Sequence, residues 1–262
     1  MERAIAVDWS GALDRAGSKI WLAEVSRGEL VRLQRQPSRE AAVEEVLRLA
    51  SDGACAIGLD FAFSMPAWFV RQHAASAAEF WARVAEHGDA WLAACAPPFW
   101  GRPGRKRPAA DDGCPPFRRT EEAYAPGRDG IRPKSVFQVG GAGAVGTGSL
   151  RGMPYLLRLQ AAGIAVWPFF EGTRPVVAVE IYPRLLTGPV RKSDRLAREA
   201  YLDGRGLTGA GWDEARSSED AFDAAVSALA MWERRDDLAK LRATSDPVLL
   251  LEGAIWDPGC DG

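Results

Sequence analysis

Two short apolar runs, each closed by an aspartate, constrain this chain more than any other feature. "RAIAVD" ends at Asp8, and "ACAIGLDFAF" reaches Asp60 after its own unbroken run. Small and β-branched residues with no polar alternation mark a strand covered on both faces, as in the parallel part of an α/β sheet. A carboxylate at the end of such a strand needs a partner. Nothing basic follows Asp8 until Arg15.

The residues between the two runs set the topology. "KIWLAEV" and "ELVRLQ" alternate apolar and polar positions around a "SRG" turn, which predicts an antiparallel meander with the first run. Ser38 is the expected N-cap of the helix "REAAVEEVLRLA", with Ala42, Val43, Val46 and Leu47 on its apolar face. A crossover through that helix returns the next strand parallel to the first and beside it. Adjacent strands lie about 4.8 Å apart, so strands ending level make neighbours of Asp8 and Asp60. Like charges that close call for a shared proton or a bridging cation. Ligands also collect at the carboxyl ends of strands in open α/β sheets. For either aspartate alone, the competing reading is a local turn closed through its own backbone.

Composition narrows the chemistry. His73 and His87 are the only histidines, and Cys55, Cys95, Cys114 and Cys260 are scattered with no C-x-x-C. That argues against a zinc site and against Ser-His-Asp or Cys-His nucleophiles. Cys55 and Cys95, in apolar stretches, read as core residues. A formal net charge of -2 excludes a general polyanion binder. Charge is nonetheless uneven. Nine Lys and Arg face five acids between Trp100 and Ser135, in a Pro- and Gly-rich stretch. Residues 97–134 are therefore expected to be an insertion, either a solvated loop or an arm that contacts phosphate, with Arg105, Lys106, Arg107, Arg118 and Arg119 as candidate substrate contacts. Arg128 belongs to the same block. No apolar run approaches the roughly 18 residues that span a bilayer, and no signal-peptide pattern precedes the first strand. The expectation is a cytoplasmic protein of one domain, residues 1–262, without a membrane partner.

The rest of the chain offers one competing motif and two further acidic positions. "ASAAEFWARVAEHGDAWLAACA" reads as helix, with "HGD" as a point where it breaks in two. Gly141, Gly143 and Gly146 fit G-x-G-x-x-G, and a strand "IAVWPFF" running to Glu171 would complete a dinucleotide-binding unit. Against it, the preceding strand is short and carries Gln138, and Gly148 and Gly152 extend the flexible region. The same glycines would also let backbone N–H groups approach a phosphate. In "RPVVAVEIYPRLL", Glu180 either pairs with an arginine such as Arg184 or joins an acidic site. "SSEDAFDAAVSALAMW" opens a helix capped by Ser217 or Ser218. Its macrodipole accounts for Glu219 and Asp220 in the first turn. Asp223 shares a face with Asp220 and lies among small and apolar residues, so it points into packed structure or a cleft.

Taken in order, "AVDWSG", "IGLDFAF", "VEIYPRLL" and "EDAFDAAVSALA" resemble the predicted ribonuclease H-fold nucleases known as domain-of-unknown-function family 429. The D-x-x-D-A helix is also similar to the closing acidic helix of the Holliday-junction resolvases of that superfamily. The resemblance implies a ribonuclease H-like mixed five-stranded sheet flanked by helices, and a nuclease that uses Mg²⁺ or Mn²⁺. It implies metal ligands at Asp8, Asp60, Asp220 and Asp223, with Glu180 as a weaker catalytic position. A further glutamate is implied on the helix before the fourth strand, where Glu40, Glu44 and Glu45 lie. Two ions about 3.5–4 Å apart would share Asp8. Trp9 would stack on a base, and Ser10 would line the approach to a nucleic acid or small phosphoester. Three rivals stand beside this reading: a nicotinamide enzyme built on Gly141–Gly146, an actin-like phosphotransferase, and a non-catalytic binding protein. "DWSGA" lacks the second glycine and the Thr of the actin-like phosphate loop.

Overall fold

The structure is a computed structural model and describes residues 1–109, 113–124, 130–170 and 175–258. Arg128, Glu171 and Cys260 lie outside the described residues. Two compact units emerge: Met1–Asp60, Thr173–Leu241 and Trp256–Gly262 form the first, Phe61–Gly172 and Arg242–Ile255 the second.

The first unit opens with β1 (Arg3–Asp8), β2 (Trp21–Ser26) and β3 (Glu29–Arg35), the expected meander. Arg27 and Gly28 join β2 to β3 with φ of 51° and 87°, the pair of left-handed residues that matches strand twist in a tight hairpin. Helix α1 (Arg39–Ser51) follows, and the Ser38 side chain caps it by accepting from the Ala41 N–H at 3.1 Å. Strand β4 (Cys55–Leu59) then returns parallel to β1.

The chain next builds the second unit from α2 (Ala67–His73), α3 (Ala77–Ala94), α4 (Arg119–Glu122), α5 (Gly146–Ala161) and the short β5 (Ala165–Val166). Residues 97–109, 113–124 and 130–134 of the expected insertion lie in it. Helix α3 runs unbroken through His87-Gly88-Asp89. A helical Gly costs about 1 kcal/mol relative to Ala, but Gly88 is buried and a Cβ there would lie 3.5 Å from the Leu150 carbonyl oxygen of α5. Packing between α3 and α5 overrides the local preference.

Returning to the first unit, the chain forms β6 (Val176–Glu180), α6 (Pro183–Thr187), α7 (Arg195–Gly204), α8 (Ala210–Ser217), α9 (Glu219–Glu233) and α10 (Arg235–Lys240); α11 (Leu249–Glu252) belongs to the second. Within the first unit the strand order is β3-β2-β1-β4-β6, antiparallel across β1-β2-β3 and parallel across β1-β4-β6. The unit is thus an α/β structure on a mixed sheet. Every residue of β4 and β6 is buried, as their unbroken apolar runs require.

Helix α9 lies on one face of this sheet. Its buried stripe is small, with Ala221, Ala224, Ala225 and Ala228 at 1% exposure or less. Gly58 of β4 meets it, since a Cβ there would sit 2.5 Å from Met231 Sδ and 2.9 Å from Ile181 Cγ2. Small residues on both sides let helix and sheet approach closely. The other pleat carries a polar tether: Arg3 Nε donates to Glu24 at 2.8 Å and Arg3 Nη2 to the Leu49 carbonyl of α1 at 3.0 Å.

Candidate active site

Register brings the two strand-end aspartates together. Val7 of β1 pairs with Leu59 of β4, and the Asp60 N–H donates to the Val7 carbonyl at 3.1 Å. Asp8 and Asp60 are therefore level, on the same pleat as Ala6 and Gly58, which is the face covered by α9. The charge of Asp60 acts on the Asp8 carboxyl and disfavours its ionisation. Like charges so close favour a protonated partner or a bridging cation.

The third acid comes from the helix. Ser218 caps α9 by accepting from the Ala221 N–H at 3.3 Å, and Asp223 lies in the helix's second turn with 1% of its side chain exposed. One of its oxygens, Oδ1, is buried without a hydrogen-bond partner; the other accepts from Lys192 Nζ. Asp220, one turn earlier, is half-buried at the rim. Ser227, one turn later, is fully buried with its hydroxyl unpartnered.

Electrostatics follow from this crowding. Burial, then the charges of Asp60, Asp223 and Asp220, hold the Asp8 carboxyl well above the ordinary range against the opposing Lys192. Burial pushes Asp60 up to about 7 and Asp223 to about 6, with Lys192 opposing in both cases. Asp220 is raised by burial and by Glu219. Burial alone would depress the Lys192 ammonium, but Asp223, Asp60 and Asp8 outweigh it and hold it above the usual lysine range.

Lys192 is the functional candidate that sequence reading missed. It lies in the loop between α6 and α7, with no motif or periodicity to single it out. A buried arginine fixes that loop. Arg198, 5% exposed, donates through Nη1 to the Lys192 carbonyl and through Nε and Nη2 to the Arg216 carbonyl at 3.1 and 2.8 Å.

The loop after Asp8 is also clamped. Arg39, the first residue of α1, donates through Nε to the Ser10 carbonyl at 2.9 Å and through Nη2 to the Ala12 carbonyl. The Ser10 hydroxyl accepts from the Ala12 N–H at 3.2 Å, so it serves the turn. Trp9 is 8% exposed and presents little face on which a base could stack. Glu180 is buried at the end of β6, level with Leu59, and hence on the opposite pleat from Asp60. Glu45 of α1 is taken by Arg48 and Arg32 at 2.9 and 3.3 Å.

The basic candidates of the second unit divide by environment. Arg118 is 1% exposed, bound to Glu121 at 2.9 Å and to the Glu252 carbonyl at 3.0 Å. It is an internal strut. Arg119 forks onto Asp246 at 3.0 and 2.8 Å. Arg105, Lys106 and Arg107 are exposed. Arg107 lies over the Trp100 and Phe117 rings at 5.4 and 5.2 Å, and Arg132 over Phe117 at 4.9 Å. With Lys134, Ser135, Pro133 and Gln138 they line a cleft of roughly 200 Å³ that no acid among the described residues lines.

In the glycine-rich stretch Gly141 and Gly143 take positive φ of 81° and 70°, and among the described residues a Cβ at either would meet nothing closer than 3.6 Å, while Gly146 and Gly152 are needed for close packing. Residues 135–139 form a turn rather than a strand, with an isolated bridge between Trp100 and Gln138. Gly146 starts α5 where a Cβ would lie 2.1 Å from the Val136 carbonyl oxygen, and Gly152 packs against Phe61. The dinucleotide reading therefore lacks its first strand.

A divalent cation can be tested against these donors. Asp8, Asp60, Asp220 and Asp223 offer only hard oxygens, the chemistry that Mg²⁺ and Mn²⁺ prefer. The buried, unpartnered Asp223 Oδ1 is the kind of atom a cation satisfies. The donor set fits. The side chains do not stand as a finished cage, however, because among the described residues no group of three or more His, Cys, Asp or Glu is placed to hold a metal ion. Lys192 stands on the third carboxylate.

Fold and site together define an α/β protein with a desolvated carboxylate cluster at the carboxyl ends of its parallel strands. The chain matches no protein-family model, no curated protein and no solved structure. Among the described residues no helix is long and apolar enough to cross a membrane.

Proposed function

We propose that the first unit is ribonuclease H-like and that the protein is a divalent-metal-dependent phosphodiester hydrolase. The observation that carries this reading is the level pairing of Asp8 and Asp60 on adjacent parallel strands, with Asp223 of α9 near enough for its charge to act on Asp8. A structural protein gains nothing from three desolvated carboxylates, since each is costly to ionise there. Asp8 and Asp60 would hold Mg²⁺ or Mn²⁺, with Asp223 and Asp220 flanking it. When bound, such an ion supplies Lewis acidity and neutralises charge building on a phosphate. The chain's own groups do the rest. Arg39 holds the backbone of residues 10–12 in one conformation beside Asp8. The small-residue packing under α9 excludes water from Asp8 and Asp223 and so strengthens their hold on positive charge. Asp220, at the rim, is placed to accept a proton from solvent. On the second unit, Arg105, Lys106 and the stacked Arg107 and Arg132 supply cations for a phosphate backbone, with nucleic acid or a small phosphoester as the substrate class.

The test is cleavage of single- and double-stranded DNA, RNA, branched DNA and a small chromogenic phosphodiester with Mg²⁺ or Mn²⁺, comparing wild type with Asp8→Asn. Loss of at least about a hundredfold in the variant is expected from removing a principal ligand. Equal activity in the two proteins would reject the reading.

A further inference from the structure

We propose that Lys192 is the built-in cation of this cluster, its ammonium taking the place of a second divalent ion against Asp223, so that the site loads one ion at Asp8 and Asp60. This inference rests on the hydrolase reading and goes beyond it by fixing the number of ions and the group that replaces the other.

Three observations carry it. Asp223 is the most deeply buried of the acids, and one of its two oxygens is committed to Lys192 Nζ. Its other oxygen is buried without a partner, so the pocket around Asp223 is built for more positive charge than a single N–H contact supplies. The lysine is also delivered by structure and not by a wandering side chain: Arg198 is buried and grips the backbone of Lys192 and of Arg216 together. A residue that merely happened to fall near a carboxylate would not need its loop anchored in the interior.

Charge arithmetic explains the arrangement. The ammonium acts on all four aspartates, Asp8, Asp60, Asp220 and Asp223, and lowers the pKa of each. One divalent ion and one ammonium supply three positive charges near four carboxylates, leaving a small negative excess. Two divalent ions plus the ammonium would crowd three cations into the same space. An ammonium is a compact point charge, and with one-third of its side chain exposed Lys192 can be approached from solvent by a phosphate.

The experiment is Mn²⁺ titration of the full chain, read by the electron paramagnetic resonance signal of free Mn²⁺, for wild type, Lys192→Met and Lys192→Arg. Wild type is expected to bind one ion and Lys192→Arg likewise. Lys192→Met is expected to bind a second ion, or to bind the first about tenfold or more tightly, because a unit positive charge beside the ligands is gone. If Lys192→Met is poorly folded without metal, Mn²⁺ should raise its melting temperature by more than it raises that of wild type, which reads the same exchange of cations. Two ions on wild type, or a Lys192→Met that binds Mn²⁺ no better than wild type, would overturn the inference and leave the hydrolase reading standing. Binding by Lys192→Met but not by wild type would overturn both the one-ion inference and metal dependence in the native protein. Absence of binding in every variant would overturn both.

Discussion

Asp8 and Asp60 end neighbouring parallel strands at the same level, and the charge of Asp60 raises the Asp8 carboxyl above its ordinary range. The pair exists because the sheet is held rigid beneath it, with β4 buried throughout, β1 buried from Ala4 to Asp8, and α9 seated closely above. Folding therefore does electrostatic work at this point. The unfolded chain would keep the two carboxylates apart and hydrated.

The first consequence is a stability that falls as pH rises. Asp60 titrates near 7 in the folded protein, raised by burial and by Asp223 and Glu180 against Lys192; an unfolded aspartate titrates near 3.9. Between those values the folded state binds the proton that the unfolded state has released, so its stabilising contribution is complete below about pH 4 and is lost as pH climbs through about 7. Asp8 and Asp223 are shifted in the same direction. In chelator, the melting temperature should drop by about 5 °C or more between pH 5.5 and 8. Asp60→Asn should flatten that slope. A wild-type profile that rises over this interval would contradict the crowding described here.

A second expectation concerns the close approach of helix and strand. Gly58→Ala places a methyl group against Met231 Sδ and Ile181. Met231 can shift, but Ile181 sits in the chain directly after β6 and has less freedom. Overpacking of this kind costs about 1–3 kcal/mol, measurable by urea denaturation. Because α9 must move outward to relieve the contact, the same variant should also weaken Mn²⁺ binding. A neutral outcome in both measurements would show that the helix has slack over the sheet.

Much of this arrangement can be read in the sequence, for identifiable reasons. An unbroken apolar run reports burial on both faces, which is why β1 and β4 and the acids that end them stand out. Asp223 stands out as a lone charge among alanines. Lys192 does not, because its position depends on Arg198 and Arg216, contacts that no local pattern encodes. Arg118 misleads in the opposite sense. In a Pro- and Gly-rich stretch it looks solvated, yet Glu121 and the Glu252 carbonyl draw it into the interior. The G-x-G-x-x-G motif misleads because a glycine needed for close contact with Val136, as Gly146 is, leaves the same trace as one needed for a phosphate. Helix α3 crosses its "HGD" because packing on α5 outweighs a local cost of about 1 kcal/mol.

Arg198 allows a separate test of how the lysine is held. Arg198→Met keeps much of the volume but removes donors to two carbonyls. Each buried acceptor left without a partner costs about 1–3 kcal/mol. The structure should loosen first in the loop that carries Lys192. Hydrogen exchange should accelerate in residues 189–194 well before it does in β1 and β4, and the pH dependence of stability should steepen as the ammonium leaves the carboxylates. Uniform acceleration across the unit would mean that Arg198 serves general stability alone.

The second unit supplies the last prediction. Arg107 and Arg132 both lie on the Phe117 ring, and no acid among the described residues lines the cleft they form with Lys134. Stacking restrains each guanidinium while leaving its N–H edge available, which suits it to phosphate oxygens. Contacts of this type release counterions, so log K falls with log salt by about 0.7 per phosphate neutralised on a single strand. Replacing both arginines by Ala should therefore weaken binding of a single-stranded oligonucleotide at low salt and reduce the slope by about 1.4, as measured by fluorescence anisotropy across a salt series. Arg118→Ala should leave the slope unchanged and lower the melting temperature, because its charge is spent on Glu121 inside the fold. If the double variant keeps the wild-type slope, the phosphate contacts lie elsewhere, with Arg105 and Lys106 the next cations to replace.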